Sequence, residues 1–109
     1  TTQLTYWTRD RGGEQLPIEF VVQKQTALNA ELYGCDDRGT LTVGRRADVN
    51  VIDHANLTVG APVAHHDLPA GGTRLMQPVS GYLATLCNGV VTREHDADTG
   101  EFPGRLVRS

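Results

Sequence analysis

Cysteines, long apolar runs and clustered basic residues are all scarce in this sequence. Cys35 and Cys87 are the only two cysteines and no C-x-x-C spacing occurs, which disfavours a thiol-based metal or redox site. No apolar run approaches the ~20 residues of a membrane span, and no charged-then-apolar leader is present. We therefore expect a cytoplasmic protein with reduced thiols and no membrane partner. A net charge of −3 without a Lys/Arg cluster argues against nucleic acid as a partner.

The composition is that of a globular chain with a rather low hydrophobic content. The 109 residues suffice for one domain, 39% of them are hydrophobic, and the mean hydropathy is −0.33. Twelve glycines and five prolines indicate many turns. The first residue is Thr1 rather than Met, from which we expect a processed or truncated chain.

The first third of the sequence predicts a loop followed by one helix. Thr1 to Gly13 is polar and ends in two glycines, so it is interpreted as a loop. Pro17 to Tyr33 is predicted to be a helix, because Pro suits a first helical position and Gly34 a helix end. Its apolar residues spread over more than one face, which predicts more than one packing partner; they are Ile18, Phe20, Val21, Val22, Leu28 and Leu32.

Interleaved aromatic and basic side chains within the predicted loop leave two interpretations open. Tyr6, Trp7, Arg9 and Arg11 can form the rim of a ligand site, or they can anchor the loop on a neighbouring surface. Weak patterns of this kind favour the anchor.

After Cys35 the pattern changes to the alternation of β-strands. The Asn88-Gly89 pair is the strongest two-residue hairpin signal in the chain. A turn is predicted at Pro69–Gly72 and an extended edge or loop at the tail around Pro103 and Gly104. The predicted strands or extended segments are 40–43, 48–52, 62–68, 74–77, 82–87 and 90–94.

Four histidines raise the question of a metal site. His65, His66 and Asp67 are adjacent, but on a strand His65 and His66 point to opposite faces, so only His65 and Asp67 can share an ion. A zinc site needs a third protein ligand, for which only His54 and His95 are available. Solvated or hydrogen-bonded histidines are the favoured interpretation, and no metal ligand is assigned.

The carboxylates give structural predictions instead of catalytic ones. Asp36 and Asp37 are expected to bind local backbone N–H groups in the turn after the helix. Asp48, which opens a strand, is predicted to accept N–H bonds and to fix the start of that strand. Asp96 and Asp98 are expected to be solvated. No nucleophile motif or phosphate-binding glycine loop occurs, so no catalytic or cofactor-binding residue is assigned.

Three motifs resemble one enzyme family, in the order in which the family has them. The run from Asp36 to Asp53 is similar to the DRGxLxxGxxADxxVxD pattern that follows the catalytic barrel of the amidohydrolase superfamily. Asn88-Gly89-Val90-Val91 is similar to the family's V-x-NG-x-x-V hairpin. Thr99 to Arg108 is similar to the TGxxPGRxxR ending of the N-acyl-D-amino-acid deacylase branch, which includes D-aminoacylase.

The resemblance implies a (β/α)8 barrel enzyme with zinc or another divalent metal, hydrolysing an N-acyl amide to a carboxylic acid and a free D-amino acid. The family's metal ligands are an H-x-H after the first strand, later histidines, a bridging side chain and an Asp after the last strand. This chain contains no H-x-H. Asp10 lies in an Arg-Asp-Arg context unlike the family's S-D-x-G, so the metal role is not transferred to it. Departures at Val49-Asn50-Val51 and in 68–75 leave the substrate of the branch open.

The expected fold class is mainly β with one N-terminal α-helix, namely part of an accessory β-sandwich and the last helix of the metallo-hydrolase barrel. Residues 1–33 are expected to hold the loop and helix, and residues 34–109 the β-sandwich segment. The expected function is that of a non-catalytic C-terminal fragment, whose partners are the upstream barrel, the parent's small-molecule substrate and, in isolation, other copies of itself. The alternative is a stand-alone β-rich ligand-binding or interaction module, using the Tyr6 to Arg11 and His65 to Asp67 groups.

Overall fold

The computed structural model describes residues 1–107, with helices in the first third of the chain and strands from Val49 onward. The fold is mostly β with a few helices. None of the helices in this range has the length and hydrophobicity of a membrane-spanning segment. The helical elements are α1 (Thr2–Thr5), a π-helical turn (Tyr6–Asp10) that continues it, α2 (Ile18–Gln25), α3 (Ala27–Leu32) and a 3-10 turn (Pro69–Gly71).

The loop predicted for Thr1 to Gly13 is wrong, because this segment is helical from Thr2 to Asp10. The polar composition suggested a loop, but several of these polar groups bind other parts of the protein. Thr8 and Arg9 form hydrogen bonds to the segment after the first strand. Tertiary contacts therefore override the weak local preference.

The single helix predicted over Pro17 to Tyr33 is also wrong, since it is broken at Thr26. Thr26 has φ −124° and ψ −86°, outside the helical region, and its hydroxyl donates to Val22 O at 2.7 Å. Side-chain bonds of Thr to the preceding turn disturb helices in this way. The predicted end is confirmed: Gly34 has φ +65°, and the N–H of the next residue returns to Ala30 O at 2.8 Å.

The strands are β1 (Val49–Ile52), β2 (Thr58–Val59), β3 (Val63–His65), β4 (Arg74–Met76), β5 (Val79–Ser80), β6 (Tyr82–Cys87), β7 (Val90–Glu94) and β8 (Ala97–Asp98). Four of them form one antiparallel sheet with the order β1-β6-β7-β8. Two further pairs, β2–β5 and β3–β4, are nested within 58–80 as a hairpin arm. The turn at the tip of the arm was predicted.

The hairpin around Asn88-Gly89 is confirmed, with strands at the predicted bounds and positive φ at both turn residues, +52° and +81°. These angles match the type I′ turn that suits the twist of an antiparallel pair. The strand predicted over Thr40 to Val43 is wrong. Within residues 1–107 it has no neighbouring strand to pair with, and the chain turns there, with Arg45 N–H bonded to Thr42 O at 3.0 Å. The short strands β2, β5 and β8 were not predicted.

The buried core of the described chain is small. Only Leu57 and Val21 are buried hydrophobic residues, at 0% and 4% exposure. The accessible surface is 8127 Å², whereas a folded monomer of 11.8 kDa exposes about 5,900 Å². The radius of gyration is 15.9 Å, against about 13 Å for a compact domain of this length. Much of the apolar surface therefore has no cover within residues 1–107.

Candidate functional site

Arg9 fixes the amino-terminal helical segment to the sheet. Its guanidinium donates to the carbonyls of His54, Ala55 (3.1 Å) and Leu57 (2.8 Å), which follow β1, and it also pairs with Asp10 at 2.6 Å. His54 reciprocates, because its Nε2 lies 2.9 Å from both Thr8 Oγ1 and Leu4 O. Arg9 thus supports the anchor and not the ligand rim. Asp10 is held by the same guanidinium, and this pairing lowers its pKa.

The aromatic residues of this segment pack on one another at the surface. The rings of Tyr6 and Trp7 meet edge to face with centroids 5.5 Å apart, and the Arg11 guanidinium lies 4.6 Å from the centre of the Trp7 ring. Trp7 also borders an open groove of about 250 Å³. The other residues lining this groove are Gln3, Leu16, Phe20, Val21 and Lys24.

Asp48 accepts a backbone N–H at the start of β1, as the sequence predicted, and its partner, which was not predicted, lies in the β6–β7 hairpin. Its Oδ1 accepts the backbone N–H of Asn88 at 2.8 Å, and both carboxylate oxygens accept from Arg46 Nε at 2.9 and 2.8 Å. Arg38 lies on the other side at 3.5 Å. Burial alone would raise the pKa of Asp48, but the Asn88 N–H and the two arginines outweigh it and lower the pKa.

Asp96 performs a similar function at the opposite end of the sheet, so its predicted solvation is wrong. With φ +64° it forms, with His95, a two-residue turn between β7 and β8. Its carboxylate accepts the backbone N–H groups of Gly81 and Tyr82, both at 2.9 Å, and these bonds lower its pKa. Asp98, by contrast, is exposed as predicted, although it lies in β8.

The Asp96 bonds predict an acid-sensitive hairpin end. Because the folded-state pKa lies below the ordinary 3.8, the stabilising contribution is complete above that value and disappears as the pH falls through the folded pKa. Asp96→Asn keeps a side chain that tolerates positive φ but removes the charge, so we expect a Tm lower by a few degrees at neutral pH. The difference from wild type should shrink as thermal melts are repeated towards pH 3. A constant difference down to that pH would contradict the prediction.

In the group His65 to Asp67, the carboxylate forms an ion pair and one of the two histidines forms a hydrogen bond. Asp67 pairs with Arg74 through both oxygens at 2.8 and 2.6 Å, and His66 Nδ1 lies 2.8 Å from Thr73 Oγ1. Among residues 1–107, no three His, Cys, Asp or Glu side chains come together as a possible metal site. Asp67 and His66 are thus engaged with Arg74 and Thr73. The arm tip is an ion-paired turn.

The structure also gives the contacts of Asp37 and of the two cysteines. The Asp37 carboxylate binds mainly the Arg38 guanidinium, at 2.7 Å, and only secondarily the backbone expected from the sequence. Cys35 and Cys87 are both free and half-buried. Cys87 Sγ lies 3.4 Å from Arg46 Nη2, so the Asp48 cluster extends to this thiol. The motif residue Arg108 lies outside the described residues.

Comparison with known proteins identifies the class of protein to which this mostly β chain, with its motif run Asp36 to Asp53, belongs. Residues 2–93 match the amidohydrolase family, and the chain belongs to that family. It is also 51% identical over 43 residues to the N-acyl-D-glutamate deacylase of Alcaligenes xylosoxydans xylosoxydans. That stretch covers 39% of this chain and 9% of the relative's length. No solved structure matches the chain. The resemblance to the D-aminoacylase type is thus confirmed.

Proposed function

We propose that this chain is the non-catalytic, carboxy-terminal part of a metal-dependent amidohydrolase that hydrolyses N-acyl amides of D-amino acids. The observation that carries the proposal is the uncovered apolar surface on a chain of this family. Phe20, Val22 and Leu28 on the two helices are 42–44% exposed, and Leu32 is 76% exposed. A barrel in the same polypeptide would cover such a face.

The structural role proposed for the chain is to pack on that barrel and to complete an accessory β-sandwich. Residues 1–33 would hold the barrel-facing helices and residues 34–109 the sandwich segment. The hydrogen bonds of Arg9 and His54 support this arrangement, since they connect the helical part of the chain to the part that contains the strands. The four-stranded sheet supplies one layer of the proposed sandwich.

Zinc or another divalent metal is proposed for the whole enzyme, with its ligands supplied by the barrel. Asp48, Asp67 and Asp96 are engaged with arginines and backbone groups, and we assign no residue of this chain to the metal. The proposed location is the cytoplasm, which two free thiols support.

Activity measurements on the chain and on its longer polypeptide test the proposal. The purified 109-residue chain is expected to hydrolyse no N-acetyl-D-amino acid, including N-acetyl-D-glutamate, with any added divalent metal. The polypeptide encoded by the longer reading frame is expected to hydrolyse one or more of them, and a chelator should abolish this activity.

Two outcomes would reject the proposal. Chelator-sensitive turnover by the 109-residue chain would show that a catalytic site lies within it. An initiator Met codon directly before Thr1, in a gene without an upstream H-x-H and β/α pattern, would favour the stand-alone binding module instead. The matched control is the longer polypeptide with its H-x-H histidines replaced by Ala, which should be folded and inactive.

A further inference from the structure

The Asn88-Gly89 turn is a chemically labile dipeptide that is held in place by hydrogen bonds to another segment of the chain. Both residues are exposed, and both have positive φ in the two-residue turn. Their consecutive backbone N–H groups are held by the segment before β1. Asn88 N–H donates to Asp48 Oδ1 at 2.8 Å, and Gly89 N–H donates to Ala47 O at 2.9 Å.

We propose that Asn88 is a deamidation site that the Ala47–Asp48 segment keeps closed. In the reaction the Gly89 nitrogen attacks Asn88 Cγ, so that an N–Cγ bond forms, the Cγ–Nδ2 bond breaks, and ammonia leaves with the proton of the Gly89 amide. Water then opens the five-membered imide at one carbonyl or the other, giving aspartate or isoaspartate at position 88. A glycine on the carboxyl side presents no side chain to obstruct the attacking nitrogen.

The two hydrogen bonds from Asn88 and Gly89 to the Ala47–Asp48 segment, here called the latch, oppose the first step of this reaction directly. The proton that must leave is the one donated to Ala47 O, and the nitrogen that must turn towards Cγ is held in the hairpin by that same bond. Attack therefore requires a local opening of the turn, and the reaction rate follows the population of the open form. The Asp48 carboxylate controls this opening, because it holds the neighbouring N–H and is itself fixed by Arg46.

The reaction products would prevent the latch from closing again. Aspartate at position 88 places a second carboxylate beside Asp48, which already accepts the N–H of that residue. Isoaspartate adds a methylene to the main chain, which lengthens a turn that must have two residues to keep the β6–β7 register. Deamidation would thus be a one-way loosening of the hairpin from the β1 side of the sheet.

Peptide mapping after incubation at mildly alkaline pH tests the proposal on the full 109-residue chain. Aspartate and isoaspartate at position 88 are expected to form more slowly than in an unstructured peptide covering residues 86–92. Asp48→Asn is expected to accelerate their formation about five- to 150-fold, the range set by losing a charge-assisted hydrogen bond. The control Asp37→Asn removes a carboxylate that pairs with Arg38 and should leave the rate unchanged.

A second measurement keeps the test decisive if Asp48→Asn fails to fold. In the wild-type chain, low urea concentrations should raise the deamidation rate in parallel with the hydrogen-exchange rate of the Gly89 amide. A wild-type rate equal to that of the peptide, equal rates in wild type and folded Asp48→Asn, or a rate indifferent to urea would each overturn the proposal.

Discussion

At tens of micromolar the purified 109-residue chain is expected to sediment as oligomers, with a weight-average mass that rises with concentration. The reason is its exposed apolar side chains, which lie on helices and strands alike in a chain whose total accessible surface exceeds that of a compact monomer of the same mass. The two-stranded arm adds to this, since a lone hairpin is marginal in water and its outer edges lack partners within residues 1–107. Other copies of the chain would cover what the proposed barrel covers in the longer polypeptide.

Two matched substitutions identify the surface responsible. Leu32 at the end of α3 and Leu106 in the tail are almost equally exposed, at 76% and 78%. Either can become Glu without burying a charge in the monomer. We expect Leu32→Glu to weaken association and Leu106→Glu to leave it unchanged, because only Leu32 continues the apolar helix face. A wild-type chain that stays monomeric at every concentration would contradict the expectation and would favour a complete domain.

Local signals in the sequence were sufficient where one dipeptide or one residue determines the backbone. Asn88-Gly89 defined a hairpin with strands at the observed bounds, because few dipeptides adopt two successive positive φ angles at low cost. Gly34 defined the end of α3, because glycine adopts at low cost the positive φ that ends a helix. That Asp48 accepts a backbone N–H followed from its place before a strand, but its partner Asn88, 40 residues away, did not.

The missed features depend on partners distant in sequence. His95 and Asp96 form a turn as tight as that of Asn88-Gly89, but the positive φ of Asp96 is compensated by N–H groups of Gly81 and Tyr82, 15 and 14 residues earlier. The helix over Thr2 to Asp10 is stabilised by carbonyls 45 to 48 residues away. No local pattern encodes such partners. The motif resemblance, in contrast, indicated the family directly, and comparison confirmed it.

Asp48→Asn is expected to lower the free energy of unfolding by about 1–3 kcal/mol at neutral pH, the cost of weakening charge-assisted hydrogen bonds to a partly buried carboxylate. The side chain is 32% exposed, so solvent screens only part of its pairing with Arg46. Urea melts of wild type and variant at one fixed protein concentration measure the difference, since association would otherwise shift both midpoints.

The control for this prediction is Asp37→Asn, which removes an equally charged carboxylate from the same cluster. Asp37 is 59% exposed and its main partner is the adjacent Arg38, so its loss should barely move the midpoint. Of these two carboxylates, only Asp48 connects segments 40 residues apart, because it accepts the Asn88 N–H as well as a guanidinium N–H. A large loss for Asp48→Asn with little change for Asp37→Asn would therefore assign the stability to that connection. Equal midpoints in all three proteins would mean that the Asp48 carboxylate is merely solvated and that the hairpin is held by its turn alone.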